Sequence, residues 1–150
     1  MPAIFVDADS CPVKKEIVEI ASKFSVEVFF IASYDHHVKD ISTYATWKYV
    51  DSGKEAADLH IMNHAGNGDI VITQDIGLAS TLLLKGVHVI SPKGVVFEES
   101  GIQTALDLRF LNAMARRRGV YGKGPKPFLS EDRARFMTKL TKILSKFAGI

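Results

Sequence analysis

The sequence predicts an α/β protein, a three-layer parallel sheet flanked by helices, with a basic pair of helices at its C-terminal end. Three observations lead there. Residues 3–6, Ala-Ile-Phe-Val, are apolar on both faces, as in a strand buried mid-sheet, and they run straight into Asp7 and Asp9. Strand-like and helix-like segments then alternate through residue 92, the pattern of parallel strands joined by right-handed crossovers. Past Gly101 the strand signal stops and the charge changes sign. Residues 106–150 carry 11 Lys and Arg against 3 Asp and Glu, whereas residues 1–105 carry 8 against 14.

Each element has its own local reason. Pro12 suits a first helical turn, with Ser10 or Cys11 as the cap. Val13, Ile17, Ile20 and Phe24 keep the spacing of one buried face, so a helix is predicted over 12–24. Residues 26–31 are β-branched and aromatic and read as a second strand. Residues 32–45 read as a connector that holds His36 and His37, an adjacent pair open to metal binding or to simple exposure. Trp47 to Val50 alternates and makes a third strand ending at Asp51. Ser52 and Glu55 fit a capping box for a helix running to about Ala65, which Gly66-Asn67-Gly68 ends.

Residues 69–75 repeat the opening pattern, an apolar strand running into an acid, Asp75. A Leu-rich helix over 76–85 follows, closed by Gly86, and then a last strand over 87–90 stopped by Pro92. Two helices are predicted at 102–118 and 130–147, joined by a Gly/Pro/Lys loop. One domain is expected over residues 1–150, an α/β core at 1–101 with the helices of 102–150 packed on it.

The totals exclude some classes. Hydrophobic content of 47% and charged content of 24% are ordinary for a globular chain. No apolar run approaches the ~20 residues of a membrane span, so no membrane partner is expected. No basic region leads into a long apolar core at the start, and a single cysteine allows no internal disulfide, so a cytoplasmic location is expected.

The acids carry the chemistry. Asp7, Asp9 and Asp75 fall at or just past the carboxyl ends of two predicted strands, the edge where open α/β sheets bind ligands. Glu55 and Asp58, three apart, share a face of a helix beginning at that edge, and Asp51 is a further candidate. Converging carboxylates repel one another unless a cation neutralises them, and oxygen ligands select Mg²⁺ or Mn²⁺. Such an ion activates water and stabilises the leaving oxygen of a phosphodiester. Local roles stand beside this one. Asp75 can cap the helix that follows, Asp9 the first helix, and Glu55 can serve the capping box. Asp7 and Asp58 have no such local task.

The basic half points to a polyanion. Arg109, Asn112 and Arg116 share one helical face, with Leu106, Phe110 and Met114 on the other, and Arg117 lies in the same basic end. In the last helix Phe136, Leu140, Ile143 and Phe147 form the expected buried stripe. Arg135, Lys139, Lys142 and Lys146 form a ridge beside it, with Arg133 near its start. Lys123 and Lys126 sit in Gly122-Lys123-Gly124-Pro125-Lys126-Pro127, which can hold a phosphate or act as a plain linker. The expected partner is nucleic acid, RNA foremost.

Four stretches together resemble the bacterial YaiI/YqxD family: Phe5-Val6-Asp7-Ala8-Asp9-Ser10-Cys11-Pro12-Val13-Lys14, Gly53-Lys54-Glu55-Ala56-Ala57-Asp58, Asp69-Ile70-Val71-Ile72-Thr73-Gln74-Asp75-Ile76-Gly77-Leu78-Ala79 and Gly124-Pro125-Lys126-Pro127-Phe128. The likeness covers essentially the whole chain. That family looks like a divergent branch of the PIN-like nuclease superfamily, so the resemblance implies a PIN-like fold. PIN domains bind Mg²⁺ or Mn²⁺ through an acid after the first strand, acids on a mid-chain helix and an acid after a later strand. Asp7, Asp58 and Asp75 match those places. The Asp7-x-Asp9 pair and the basic C-terminal helices depart from ordinary PIN domains.

Three readings compete. The first is a metal-dependent nuclease acting on RNA or single-stranded nucleic acid, with Asp7, Asp58 and Asp75 on the metal and Asp9 or Glu55 assisting. The second is a non-catalytic module that binds nucleic acid or protein. The third is a phosphatase of the haloacid dehalogenase type, because Asp7-x-Asp9 after an apolar strand mimics its nucleophile motif.

Overall fold

The computed structural model describes residues 2–34, 43–52, 54–119 and 126–149. His36, His37, Tyr121 and Lys123, with residues 122–125 of the Gly/Pro/Lys loop, lie outside them. In chain order the elements are β1 (Ile4–Asp7), a 3-10 turn (Ala8–Ser10), α1 (Lys14–Lys23), β2 (Val28–Ser33), β3 (Thr46–Val50), α2 (Lys54–His64) and β4 (Ile70–Ile72). Then come α3 (Ile76–Leu84), β5 (His88–Ile90), β6 (Val96–Phe97), α4 (Glu99–Arg117) and α5 (Ser130–Phe147).

The strands form one sheet in the order β3-β2-β1-β4-β5-β6. Neighbours are parallel from β3 to β5, with Asp7 beside Ile31 and Val6 beside Ile72. β6 pairs antiparallel with β5, which departs from the all-parallel expectation. The chain turns back at Lys93-Gly94 because Ser91 Oγ accepts from the Val95 N–H at 3.1 Å. No crossover helix intervenes, so the next strand can only run the other way.

Alternation along the strands divides the core. Ile4, Val6, Phe30, Ile70 and Ile72 face α1 and α5, where Ile17, Ile20, Phe136, Leu140 and Leu144 cover them. Phe5, Ile31, Val71 and Val89 face α2 and α3, against Ala57, Ile61, Leu78 and Leu82. These are the three layers: α1 and α5, the sheet, and α2 with α3. α4 packs on α3. Among the described residues no helix is long and apolar enough to cross a membrane.

Several expectations need correcting. The cap of α1 is Val13, without a side-chain bond, because the chain first curls into the 3-10 turn and leaves Ser10 and Cys11 ahead of the helix. The buried stripe of α5 is Phe136, Leu140 and Leu144. Ile143 is only partly buried, and Phe147, in the last turn, sets its ring edge-on to His88. α4 starts at Glu99 and has no fully buried residue. Phe110, on the side of the helix away from Arg109, is 63% exposed, because the helix rests on α3 along another face.

On the outer side of α2 the His60 and His64 rings stack, centroids 4.0 Å apart, and a His64 ring nitrogen sits 2.7 Å from the His60 carbonyl oxygen. Burial, then the neighbouring His64 and Lys48, hold the His60 imidazole below its ordinary pKa. The folded protein therefore binds fewer protons at this ring than the unfolded chain, so stability falls as pH drops below about 6.5. Thermal melts between pH 7 and 5 should show that decline, and His60→Gln should flatten it.

Candidate active site

The strand order reverses direction between β1 and β4: β2 and β3 extend one way from β1, and β4, β5 and β6 the other. In open α/β sheets the crevice outside the carboxyl ends of the strands at such a reversal receives the ligand. Here Asp7 ends β1, and Thr73, Gln74 and Asp75 follow β4. Asp7, Ser10, Gln74, Asp75, Arg109 and Arg116 line a single open crevice of about 680 Å³ at that point. Two acids from the sheet and two arginines from α4 meet there, each acid 34 to 109 residues from each arginine in sequence.

Local bonds fix the two acids relative to each other. Thr73, 1% exposed, donates its hydroxyl to Asp7 Oδ2 at 3.2 Å and accepts the Asp75 N–H at 3.1 Å. One threonine thus bridges both strand ends. Asp75 caps α3, accepting the Leu78 N–H at 3.1 Å, and stands 3.7 Å from an Arg109 guanidinium nitrogen. Its side chain is 8% exposed, while that of Arg109 is 55% exposed. Gly77 leaves room for this pair, since a Cβ there would lie 3.2 Å from Asp75 Oδ1 and 3.4 Å from Arg109. Gln74 closes the rim by donating to the Ser10 carbonyl at 3.1 Å. Neither Thr73 nor Gly77 is among the sequence candidates; for Thr73 the available signal is a hydroxyl ending a wholly apolar strand.

The other sequence candidates fall elsewhere. Asp9 accepts the Ser33 N–H at 3.1 and 3.2 Å and so ties the 3-10 turn to the end of β2. Asp58 is half-buried on α2, with Oδ1 enclosed by protein, and Glu55 is exposed in the first turn of that helix. Among the described residues neither lines the crevice. Arg133 bonds Glu16 at 2.5 Å. Arg135 bonds Asp132 at 3.1 Å and the Lys93 carbonyl at 3.2 Å. Arg133 thus ties α5 to α1, and Arg135 ties it to the turn before β6. Arg117 and Lys126 are exposed, and the Lys126 carbonyl accepts from Lys93. Cys11 is buried, and burial pushes its thiol up to about 11, so it is no nucleophile at neutral pH.

Among the described residues no three His, Cys, Asp or Glu side chains stand as a ready metal cage. The crevice offers two carboxylates, Asp7 and Asp75. That donor set fits Mg²⁺ or Mn²⁺, since Mg²⁺ is commonly bound by one or two carboxylates and completed by waters and substrate phosphate oxygens. It suits zinc less well, because zinc sites are built largely on His and Cys and neither lines the crevice among the described residues.

Fold and crevice together define an α/β protein whose acidic, arginine-flanked cleft lies at the reversal point of a mostly parallel sheet. Residues 5–146 match the family described as "Uncharacterized BCR, YaiI/YqxD family". The chain belongs to that family. It is 52% identical over 147 residues to a UPF0178 protein of Bacillus velezensis, covering 98% of this chain and 88% of that one. A UPF0178 protein of Bacillus cytotoxicus is 49% identical over 147 residues, 98% of this chain and 95% of its own. One from Listeria welshimeri is 46% identical over 144 residues, 96% of each chain. No solved structure matches the chain.

Proposed function

We propose that this protein is a Mg²⁺- or Mn²⁺-dependent nuclease that cuts RNA or other single-stranded nucleic acid. The observation that carries the reading is the meeting of Asp7 and Asp75 with Arg109 and Arg116 in one crevice at the sheet reversal. The PIN-like resemblance supports it at the level of fold only. Asp7 and Asp75 would hold the metal. When bound, the ion supplies an activated water and offsets charge on the leaving oxygen. Arg109 and Arg116 would grip the backbone, since a guanidinium binds phosphate through two parallel hydrogen bonds. Thr73 keeps Asp7 aimed into the crevice, and Gly77 lets Arg109 approach Asp75.

A second reading, a non-catalytic nucleic-acid module, draws support from Asp75 itself, which also caps α3 through Leu78 and stands 3.7 Å from Arg109. The phosphatase reading has less support, because Asp9 is occupied by Ser33 outside the crevice. The deciding assay incubates end-labelled single-stranded RNA with the protein and Mn²⁺ or Mg²⁺, with and without chelator. Cleavage that requires metal and stops with chelator supports the nuclease. Salt-sensitive binding without cleavage supports the second reading, and phosphate release from small esters without RNA cleavage the third.

A further inference from the structure

A series of packed rings runs from the core to the exposed end of β2. Phe30, 1% exposed, packs on Trp47 at a centroid distance of 4.8 Å. Trp47 stacks on Tyr49 at 6.1 Å and 17°, and Tyr49 on Tyr34 at 6.0 Å and 23°. The series ends with Tyr34, 62% exposed. Its outer face offers the next place in the stack. Beside it lies a cavity of about 400 Å³ lined among the described residues by Tyr34, Tyr49, Asp51, His60, Asn63 and His64. That volume lies within the range of small-molecule pockets. The lining offers ring faces and the donors and acceptors of Asp51 and Asn63, which suit the edge of a heterocycle.

The geometry points to a nucleobase subsite on Tyr34, which makes unpaired nucleic acid the substrate class of the crevice. This rests on the nucleic-acid reading above. Tyr34 directly follows Ser33, whose N–H is held by Asp9, two residues beyond Asp7. β3, which carries Tyr49, lies two strand spacings from β1, about 10 Å. A single strand of several nucleotides laid along the carboxyl edge of the sheet has its phosphates at Arg109 and Arg116 in the crevice and a base further along on Tyr34. The ring is already held by Tyr49, so little ordering is needed when a base arrives. Bases in a duplex have both faces covered by their own neighbours, so a duplex cannot use this site.

The test measures fluorescence anisotropy of labelled ten-nucleotide oligoadenylate, as RNA and as DNA, with the full chain in chelator so that no cleavage occurs. An abasic oligomer and a duplex of equal length serve as further probes. Tyr34→Ala should weaken single-strand binding about tenfold, a typical loss for one base–aromatic stack. Tyr34→Phe should stay within about twofold of the wild type, and duplex binding should be the same in all three proteins. The subsite is overturned if Tyr34→Ala binds oligoadenylate as tightly as the wild type, if the abasic oligomer binds equally well, or if no single strand binds. Tyr34-dependent binding by a protein that never cleaves RNA with metal keeps the subsite and removes the nuclease. Cleavage untouched in Tyr34→Ala does the reverse.

Discussion

Asp7→Asn is expected to lower metal-dependent RNA cleavage by about a hundredfold or more while leaving the fold intact. Loss of a residue that merely orients a metal ligand typically costs 10- to 100-fold, and Asp7 would be a ligand itself. Asparagine keeps the size of the side chain and an oxygen that can accept the Thr73 hydroxyl, so the bridge to Asp75 survives. It also removes one of two negative charges in the same crevice, which relieves repulsion. The midpoint of thermal unfolding should therefore stay level or rise slightly. Gel-resolved cleavage rates and a melting curve on the same preparation check both halves. Full activity in the variant would remove Asp7 from the chemistry, and a collapsed melting temperature would make it a structural acid.

The largest expected loss of stability comes from one methyl group. Gly94 sits at φ +83°, in the turn between β5 and β6. A Cβ there would lie 2.7 Å from the Phe136 nitrogen and 2.8 Å from the Arg135 carbonyl carbon, both backbone atoms of α5. Neither can swing aside as a side-chain tip can. Gly94→Ala must push α5 off the sheet, which loosens the seats of Phe136 and Leu140, and it adds the left-handed strain of a non-glycine residue. Overpacking of about 1–3 kcal/mol and strain of about 1–2 kcal/mol together predict a loss near 3 kcal/mol. For a chain of this size the melting midpoint should fall by roughly 10 °C. Gly101→Ala is the control. Nothing lies within 4 Å of its added Cβ and it sits in the first turn of α4, so it should gain about 0.5 kcal/mol or less.

Much of this architecture was readable in the residues because it rests on short-range pattern. Apolar runs ending in Asp7 and Asp75 gave two central strands and the edge that matters, and the periodicity around Phe136 and Leu140 gave α5. What escaped depends on distant neighbours. The 3-10 turn follows from a bond between Asp9 and Ser33, which no local spacing announces. β6 has two residues, too few for any period to register. Phe110 falls on the apolar side of an amphipathic helix, yet among the described residues α4 packs mainly on α3 and leaves that ring outside. Of the crevice lining, Asp7, Asp75, Arg109 and Arg116 stand out in the sequence, as acids at strand ends and as arginines on one helical face. Thr73 does not, because its two partners are 66 and 2 residues away and only the sheet joins them. Asp58 and Glu55 show the converse limit. Shared helical spacing put them on a common face, but spacing does not say which way that face looks.

The contact between α1 and α5 bears on the order in which the protein can be built. One face of the sheet is completed by Phe136, Leu140 and Leu144, which sit over residues made some 120 positions earlier. During synthesis Ile17 and Ile20 have only a half-made shelter until the final helix leaves the ribosome. Such late closure over a long loop makes folding slow, and the nascent chain must be kept from sticking to its neighbours in the interval.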